Sequence, residues 1–241
     1  MIIQSFASSS KGNCYLVGDG NTNILLECGL SLETIRQKTN NLSFDACLVT
    51  HEHMDHAKSL IKLLQNCKKV YATKGTLDFI KSKFAFEYGN FKHYAKQINI
   101  NQKFNIGTFE VIAFQTQHDA NEPVGFLLKS NVLNEVLLFA TDTYYIKNRF
   151  ENVNYLMIEC NYSKEILYEN IHNKSISFAQ SKRLLRSHFE LGNVKQFINS
   201  LDKSKLKEIY LLHLSSGNSN SKEFKKEIQS FVGCPVWVCK E

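Results

Sequence analysis

The chain has 241 residues, of which 43% are hydrophobic and 12% aromatic, and its formal net charge at pH 7 is +6. Two prolines and eleven glycines exclude collagen-like and low-complexity architectures. No apolar run is long enough to span a bilayer, so we expect no membrane association. The N-terminus lacks a charged leader followed by an apolar stretch, which predicts a cytoplasmic protein. No stretch rich in Gly, Ser or Pro marks a boundary, so we expect a single domain over residues 1–241.

The first third of the chain is predicted to form short strands separated by turns. Runs rich in β-forming residues, broken by polar turn sequences, lie at residues 1–7, 13–18 and 23–29. Ser31 has the character of a helix N-cap, and a helical pattern follows it at residues 32–40. A short, mostly apolar strand is predicted at 45–50, and apolar spacing predicts a helix at 56–66.

Strands return in the second half of the chain and alternate with helices near its end. Four further strand candidates lie at residues 109–116, 124–130, 135–141 and 155–160. Residues 163–202 are predicted to be helical, followed by a strand at 206–214, a helix at 221–232 and a strand at 235–239. The chain thus has two successive halves, each of which begins with strands and ends with helices. This order predicts an α/β (α+β) fold with two sheets packed face to face and helices outside.

The cysteines and the charges indicate the kind of environment and partner. Seven scattered cysteines without a C-x-x-C pair are expected to be reduced and mainly buried, with disulfides in an exported protein as the alternative. Residues 170–230 hold 11 basic and 5 acidic residues, an excess equal to the net charge of the whole chain. Such a segment suits an anionic partner, although solvated helix faces would produce the same bias.

A dense group of metal-ligand side chains follows the strand predicted at 45–50: His51, His53, Asp55 and His56. Alternate residues of an extended chain project to one side, so His51 and His53 can converge on one ion. Asp55 and His56, where a helix begins, can reach a second ion. Imidazole and carboxylate are ligands that zinc, manganese and iron accept. Because such crowding is costly without a cation, the spacing predicts a metal site rather than a polar loop with chance histidines.

The sequence "THEHMDH" resembles the signature of the metallo-β-lactamase fold, a four-layer αββα sandwich with a metal site at one edge. Three further segments resemble blocks of that superfamily in the same order. "TQHDANEPVGF" contains His118, "FATDTYY" contains Asp142 at a strand end, and "YLLHLSSGN" contains His213 at another. A single strand-end histidine is more often structural, but four segments in order make coincidence a poor explanation.

The resemblance implies a dinuclear centre of two divalent ions, with zinc expected and manganese or iron as alternatives. The first ion would be held by His51, His53 and His118, and the second by Asp55, His56 and His213, with Asp142 as the bridge. A hydroxide between two such ions is a nucleophile at neutral pH, so we count Asp55 as catalytic as well as metal-binding.

Within the superfamily, nearly the full chain is similar to the YycJ/WalJ branch, described as exonuclease-like hydrolases. The similarity rests on "FASSSKGNCYLV", "HDANEPVGF", "IECNYS" and "HLSSGNSN". Two departures stand out. Glu27 occupies a strand end where the branch usually has an Asp that orients a ligand histidine. The branch's Gly-His-hydrophobic-Ser-Asn block reads "RSHFELGN" here, which keeps His188 and Asn193 in altered surroundings.

The resemblance and the basic segment together favour phosphodiester hydrolysis, with a DNA or RNA substrate. His188 is our candidate for protonating the leaving oxygen, and the alternative is a surface histidine at a helix end. The candidates for substrate contact are Lys182, Arg183, Arg186 and Asn161, for which solvated or packing roles are equally compatible with the sequence.

Three alternative functions stay open at the level of the sequence. One is a phosphodiesterase of the same fold that acts on a small cyclic nucleotide. Another is a thioesterase of the glyoxalase type, which shares the Asp-His pair at 55–56. The third is a non-catalytic regulatory protein, against which the intact ligand set argues. A homodimer is expected only because many relatives form one.

Overall fold

The computed structural model describes residues 1–239 and contains two β-sheets with helices, which confirms the predicted α/β class. The chain divides into two compact units. The first unit comprises Met1–Gln115 and Ala120–Glu135, and the second comprises Thr116–Asp119 and residues 136–239. The single domain expected from the sequence stays a prediction. Within residues 1–239, no helix is both long and apolar enough to cross a membrane.

The first unit is built on a six-stranded sheet in which the strands follow their order in the chain. These strands are β1 (Ile2–Ser9), β2 (Gly12–Gly18), β3 (Asn23–Leu26), β4 (Ala46–Leu48), β5 (Lys69–Thr73) and β6 (Ala95–Ile98). β1 to β3 are antiparallel and β3 to β6 are parallel. The same unit holds an antiparallel series of β7 (Lys103–Ile106), β8 (Phe109–Gln115) and β9 (Val124–Ser130).

Short helices connect the parallel strands of the first unit. They are α1 (Leu32–Lys38), α2 (Met54–Ala57), α3 (Leu60–Gln65), α4 (Lys74–Lys83) and α5 (Ala85–Phe91), followed by a 3₁₀ turn at Lys92–Tyr94. Ser31 caps α1 as predicted, because its side chain accepts a hydrogen bond from the Thr34 N–H at 3.1 Å. A continuous core that includes Leu25, Val49, Leu63 and Val70 lies beneath them.

The single helix predicted at 56–66 is divided between α2 and α3. The reason is a set of backbone hydrogen bonds to Cys28, which follows β3. The Cys28 N–H donates to the His56 carbonyl at 2.8 Å, and the Ser59 N–H donates to the Cys28 carbonyl at 2.9 Å. The helix therefore breaks where it is tied to the strand end beside the histidine group.

The second unit is built on parallel strands: β10 (Glu135–Ala140), β11 (Tyr155–Glu159), β12 (Glu208–Leu212) and β13 (Val236–Val238). Its helices are α6 (Lys164–His172), α7 (Phe178–Ser187), α8 (Leu191–Asn199) and α9 (Ser221–Gln229). The helical stretch predicted at 163–202 thus forms three separate helices. Since parallel strands end at the same edge, the residues that follow β10, β11 and β12 are brought together.

Candidate metal centre

The first unit presents the histidine group directly after β4. His51 is buried, and its Nδ1 lies 2.9 Å from the Thr50 hydroxyl. Its Nε2 lies 3.1 Å from Nδ1 of His53. Two ring nitrogens at this separation are close enough to act as ligands of one ion. The side chains of His51 and His53 therefore project to the same side of the extended chain, as their spacing of two residues predicts.

His56 and Asp55 meet at the start of α2. The fully buried His56 ring has its Nε2 3.3 Å from Oδ2 of Asp55 and 3.1 Å from the Asn13 amide nitrogen. The amide nitrogen of Asn13 can only donate, so Nε2 of His56 accepts and its Nδ1 carries the proton. That Nδ1 lies 3.5 Å from Oε1 of Glu27. Nε2 is therefore the ligand atom of His56 and lies close to the carboxylate of Asp55, and a metal ion there would take the lone pair that now accepts from the Asn13 N–H.

Glu27 lies behind this histidine and is completely buried. Its second carboxylate oxygen accepts a hydrogen bond from the Thr50 N–H at 3.3 Å. Burial raises the pKa of Glu27, although the neighbouring His56 works in the opposite direction. The backbone of Glu27 has a φ of +64°, in the left-handed region that a glutamate rarely adopts. The side chain is placed where it can orient His56, the role that the usual aspartate would have.

In the second unit, His118 and Asp142 approach each other. Nδ1 of His118 lies 3.0 Å from the Ser187 carbonyl, so this nitrogen carries the proton and Nε2 is left as the ligand atom. Nε2 lies 3.3 Å from a carboxylate oxygen of Asp119 and 3.5 Å from Oδ2 of Asp142. Burial lowers the pKa of His118 despite the charge of Asp142, which favours the neutral ring that a metal needs.

His213 follows β12 and faces two carboxylates. Its Nδ1 lies 2.9 Å from Oδ1 of Asp142 and 3.1 Å from Oε1 of Glu159. Burial alone would lower the pKa of His213, but these carboxylates raise it to about 10. Asp142 and His213 both have left-handed backbones, with φ of +46° and +51°. A position where buried carboxylates hold a proton so firmly is electrostatically suited to a cation.

Glu159 is a member of the site that the sequence analysis did not identify. It ends β11, is fully buried, and lies 2.6 Å from Nδ1 of His188 through Oε1. Its Oε2 accepts hydrogen bonds from the N–H groups of Thr143 at 2.9 Å and Phe189 at 3.1 Å. Although burial opposes ionisation, His188 and His213 keep the pKa of Glu159 below its ordinary value. A charged residue at the end of the apolar run "YLMIE" was the available signal.

The second unit therefore contains a compact group of ligand-type side chains. One ligand atom from each of Asp142, Glu159, His188 and His213 lies within 4.8 Å of the others. His188 follows α7 and is held there by Glu159. Burial by itself would lower the pKa of His188, but the nearby carboxylates of Glu159 and Asp142 have the larger effect, and the pKa is raised above its ordinary value. Imidazole and carboxylate donors in both units fit zinc, manganese or iron.

The remaining predicted residues have different surroundings. Lys182, Arg183 and Arg186 are exposed on α7. The Arg183 Nε donates to Oδ2 of Asp119 at 3.0 Å. Asn161 is buried, and its amide donates to the His213 carbonyl at 2.7 Å. Asn161 therefore supports the backbone beside a predicted ligand.

Known proteins of similar sequence indicate the family to which the chain belongs. A family model described as "Beta-lactamase superfamily domain" matches residues 22–213. Exodeoxyribonuclease YycJ of Bacillus anthracis is 30% identical over 91% of this chain and 84% of that protein. Exodeoxyribonuclease WalJ of Streptococcus pneumoniae is 29% identical over 88% of this chain and 81% of that protein.

Solved structures share the fold. The metallo-β-lactamase fold protein YhfI from Bacillus subtilis superposes with a TM-score of 0.72 at 16% sequence identity. The superposition covers 99% of this chain and 96% of that protein. At this identity the likeness concerns the fold, and it supports the metallo-β-lactamase fold expected from the sequence.

Proposed function

Because the chain belongs to the metallo-β-lactamase superfamily of metal-dependent hydrolases, we propose that it is a nuclease that cleaves phosphodiester bonds of DNA or RNA. The observation that carries the proposal is the compact group formed by Asp142, Glu159, His188 and His213 beside the basic helix α7. It supplies metal ligands, a proton donor and cations for phosphates within one unit. The names of the YycJ and WalJ relatives, both exodeoxyribonucleases, support the same class of substrate.

Two divalent ions, zinc in the first instance, are part of the proposal. The side chains that would hold them are those that the resemblance implies: His51, His53, Asp55, His56, His118, Asp142 and His213. When bound, such ions supply a hydroxide nucleophile at neutral pH and neutralise charge that develops on the phosphate. Glu27 would orient His56, and the Ser187 carbonyl would orient His118.

Proton transfer to the leaving group is assigned to His188. Glu159 accepts the hydrogen bond from its Nδ1, which leaves the Nε2 proton available to the substrate. As the bond between phosphorus and the leaving oxygen breaks, that proton passes from Nε2 to the oxygen. The nucleophile's oxygen meanwhile becomes bonded to phosphorus. Because the leaving oxygen receives the proton as its bond breaks, no charge accumulates on it. Lys182 and Arg186 would hold phosphates of the strand that leads to the cleaved bond.

A metal analysis followed by a substrate panel tests the proposal. The metal-loaded chain would be given single- and double-stranded DNA, RNA, a cyclic nucleotide and a thioester. We expect hydrolysis of a nucleic acid that is lost in His118→Ala. The control is His172→Ala, a histidine in the last turn of α6 outside the site, which should retain activity.

The other outcomes identify a different function. Turnover of the cyclic nucleotide without action on polymers would replace the nuclease by a small-molecule phosphodiesterase. Turnover of the thioester alone would overturn the reaction class. A chain that acts on none of the four, although it is folded and loaded with metal, would favour a non-catalytic role.

A further inference from the structure

Helix α7 exposes two of its large apolar side chains to solvent. Its buried residues are Ser181 and Ser187, whereas the Phe178 ring is 78% exposed and Leu185 is 38% exposed. A surface helix ordinarily packs its apolar stripe against the core and presents polar residues to water. In α7 the inward face consists of these two serines and the half-buried Leu184, and it leaves Phe178 and Leu185 outside. The outer face of α7 therefore carries large apolar side chains among its cations.

The backbone that carries Phe178 is firmly placed. Phe178 is the first residue of α7, and Ser177 before it closes a capping box. The Ser177 hydroxyl accepts from the Gln180 N–H at 3.2 Å, and the Gln180 side chain accepts from the Ser177 N–H at 3.1 Å. The exposed ring thus starts from a defined helix end rather than a loose loop.

Two cations share the side of the helix on which Phe178 lies. At 3.6 residues per turn, Lys182 and Arg186 are rotated from Phe178 by about 40° and about 80°. Arg183 is rotated by about 140°, and its guanidinium is already paired with Asp119. Within residues 1–239, neither Lys182 nor Arg186 makes an ion pair, and α7 contains no acidic residue. Phe178, Lys182 and Arg186 form what we call the α7 stripe.

We propose that the α7 stripe binds single-stranded nucleic acid, with the Phe178 ring stacked on a base and the two cations on phosphates. Proteins that bind single strands combine cations along the backbone with aromatic rings that meet the bases. The bases of a duplex are already stacked, so a ring on a convex helix favours a single strand. This inference rests on the proposed function for its class of ligand, and it names the form of that ligand and a residue, Phe178.

The spacing along α7 suits a strand that continues to the predicted proton donor. His188 directly follows the helix, ten positions after Phe178, so the two are about 15 Å apart along its axis. About four nucleotides at about 3.4 Å each would cover that distance. Lys182 and Arg186 lie between the two ends. A strand bound on the stripe would therefore lead towards the residue that protonates the leaving group.

Equilibrium binding tests the inference with a matched pair of exposed phenylalanines. Phe86 is 81% exposed on α5, a helix without a basic residue, so Phe86→Ala removes an equivalent ring from a different surface. The probe is a fluorescent single-stranded oligonucleotide with non-hydrolysable phosphorothioate linkages, titrated with the metal-loaded full chain. We expect Phe178→Ala to weaken binding about tenfold and Phe86→Ala to leave it unchanged. Phe178→Trp should restore affinity, because it returns a ring for stacking.

The charged members of the stripe have a separate readout. Lys182→Ala and Arg186→Ala should each reduce the slope of log affinity against log salt by about 0.7, the contribution of one phosphate on a single strand. Phe178→Ala should leave that slope unchanged, since stacking releases no counterions. A duplex probe should respond to the two charge variants and be insensitive to Phe178→Ala.

Unchanged affinity of Phe178→Ala for the oligonucleotide would overturn the inference. It would also be overturned if that variant instead lost self-association on size exclusion or binding to anionic vesicles, since a second copy or a membrane would then occupy the stripe. The proposed function is judged separately, by hydrolysis. If the chain binds the oligonucleotide through Phe178 but hydrolyses no nucleic acid, the proposed nuclease activity is wrong and the binding role of the α7 stripe stands. If it hydrolyses nucleic acid and Phe178→Ala changes neither binding nor hydrolysis, the nuclease activity stands and the binding role of the stripe is wrong.

Discussion

The two units carry predicted metal ligands in different ways. In the first unit, His51, His53, Asp55 and His56 lie within six positions of one loop and are presented together by local geometry. In the second unit, Asp142, Glu159 and His213 come from the ends of three parallel strands.

The supporting residues differ in the same way. Glu27 contacts one histidine of the first group, whereas Glu159 contacts both His188 and His213. The first group depends on sequence spacing and a nearby orienting carboxylate. The second depends on one buried carboxylate that links two histidines, so we expect it to be the more sensitive to a single change.

The largest effect is expected at Asp142, which contacts both His118 and His213. Asp142→Asn removes the negative charge that would offset the two proposed cations, so activity should fall to background and the metal content should fall by about one ion per chain. Elemental analysis of the purified variant beside an activity assay measures both. Retention of the full metal content together with full activity would exclude Asp142 from the centre.

Glu159→Gln directly tests the importance attributed to the second group. The amide nitrogen would face either the two histidines at the Oε1 position or the N–H groups of Thr143 and Phe189 at the Oε2 position, so a donor meets a donor in both orientations. The negative charge is lost as well, so metal affinity or activity should fall about 10- to 100-fold. Glu190→Gln is a matched control, because Glu190 is also buried but caps α8. If both variants behaved alike, Glu159 would have no more than a structural role.

Glu27→Gln should have a smaller effect than Glu159→Gln, since it disturbs a single histidine. We expect metal affinity to fall about tenfold, measured by competition with a chelator. Glu27→Asp asks whether the longer side chain is needed, because the contact to His56 is already 3.5 Å. Affinity equal to the parent protein in both variants would mean that Glu27 does not orient His56.

Asp19 provides a reference, a buried carboxylate distant in sequence from both groups. It accepts from the Thr108 and Ser130 hydroxyls and from the N–H groups of Asn21 and Thr22. Burial opposes ionisation, but these hydrogen bonds lower the pKa of Asp19. Its stabilising effect is therefore complete above the ordinary pKa of 3.8 and is lost as the pH falls towards the lower folded-state value.

Asp19→Asn should accordingly reduce the free energy of unfolding by about 1–3 kcal/mol near neutral pH. The loss should shrink in acid, because the parent carboxylate is then protonated as well. Denaturant unfolding at several pH values measures this. Activity of the folded variant should be unchanged, and a loss of metal from it would contradict the separation between structural and ligand carboxylates.

Much of the fold follows from local patterns. β-rich runs predicted β1 to β3 and β8 to β12 approximately, and Ser31 correctly marked the start of α1. The helices α4 and α5 and the short strands β5 to β7 were not predicted. These segments carry few apolar residues at a regular spacing, and their form depends on packing against the core.

Sequence alone determined the identity and spacing of the ligand-type side chains, because alternation along an extended chain is a local property. The tertiary structure decided which buried carboxylate supports them. Glu159 meets partners 29 and 54 positions away, and only the shared edge of parallel strands brings them together. It also decided that Phe178 faces water, since helical periodicity orders the faces of α7 but does not say which one the protein covers.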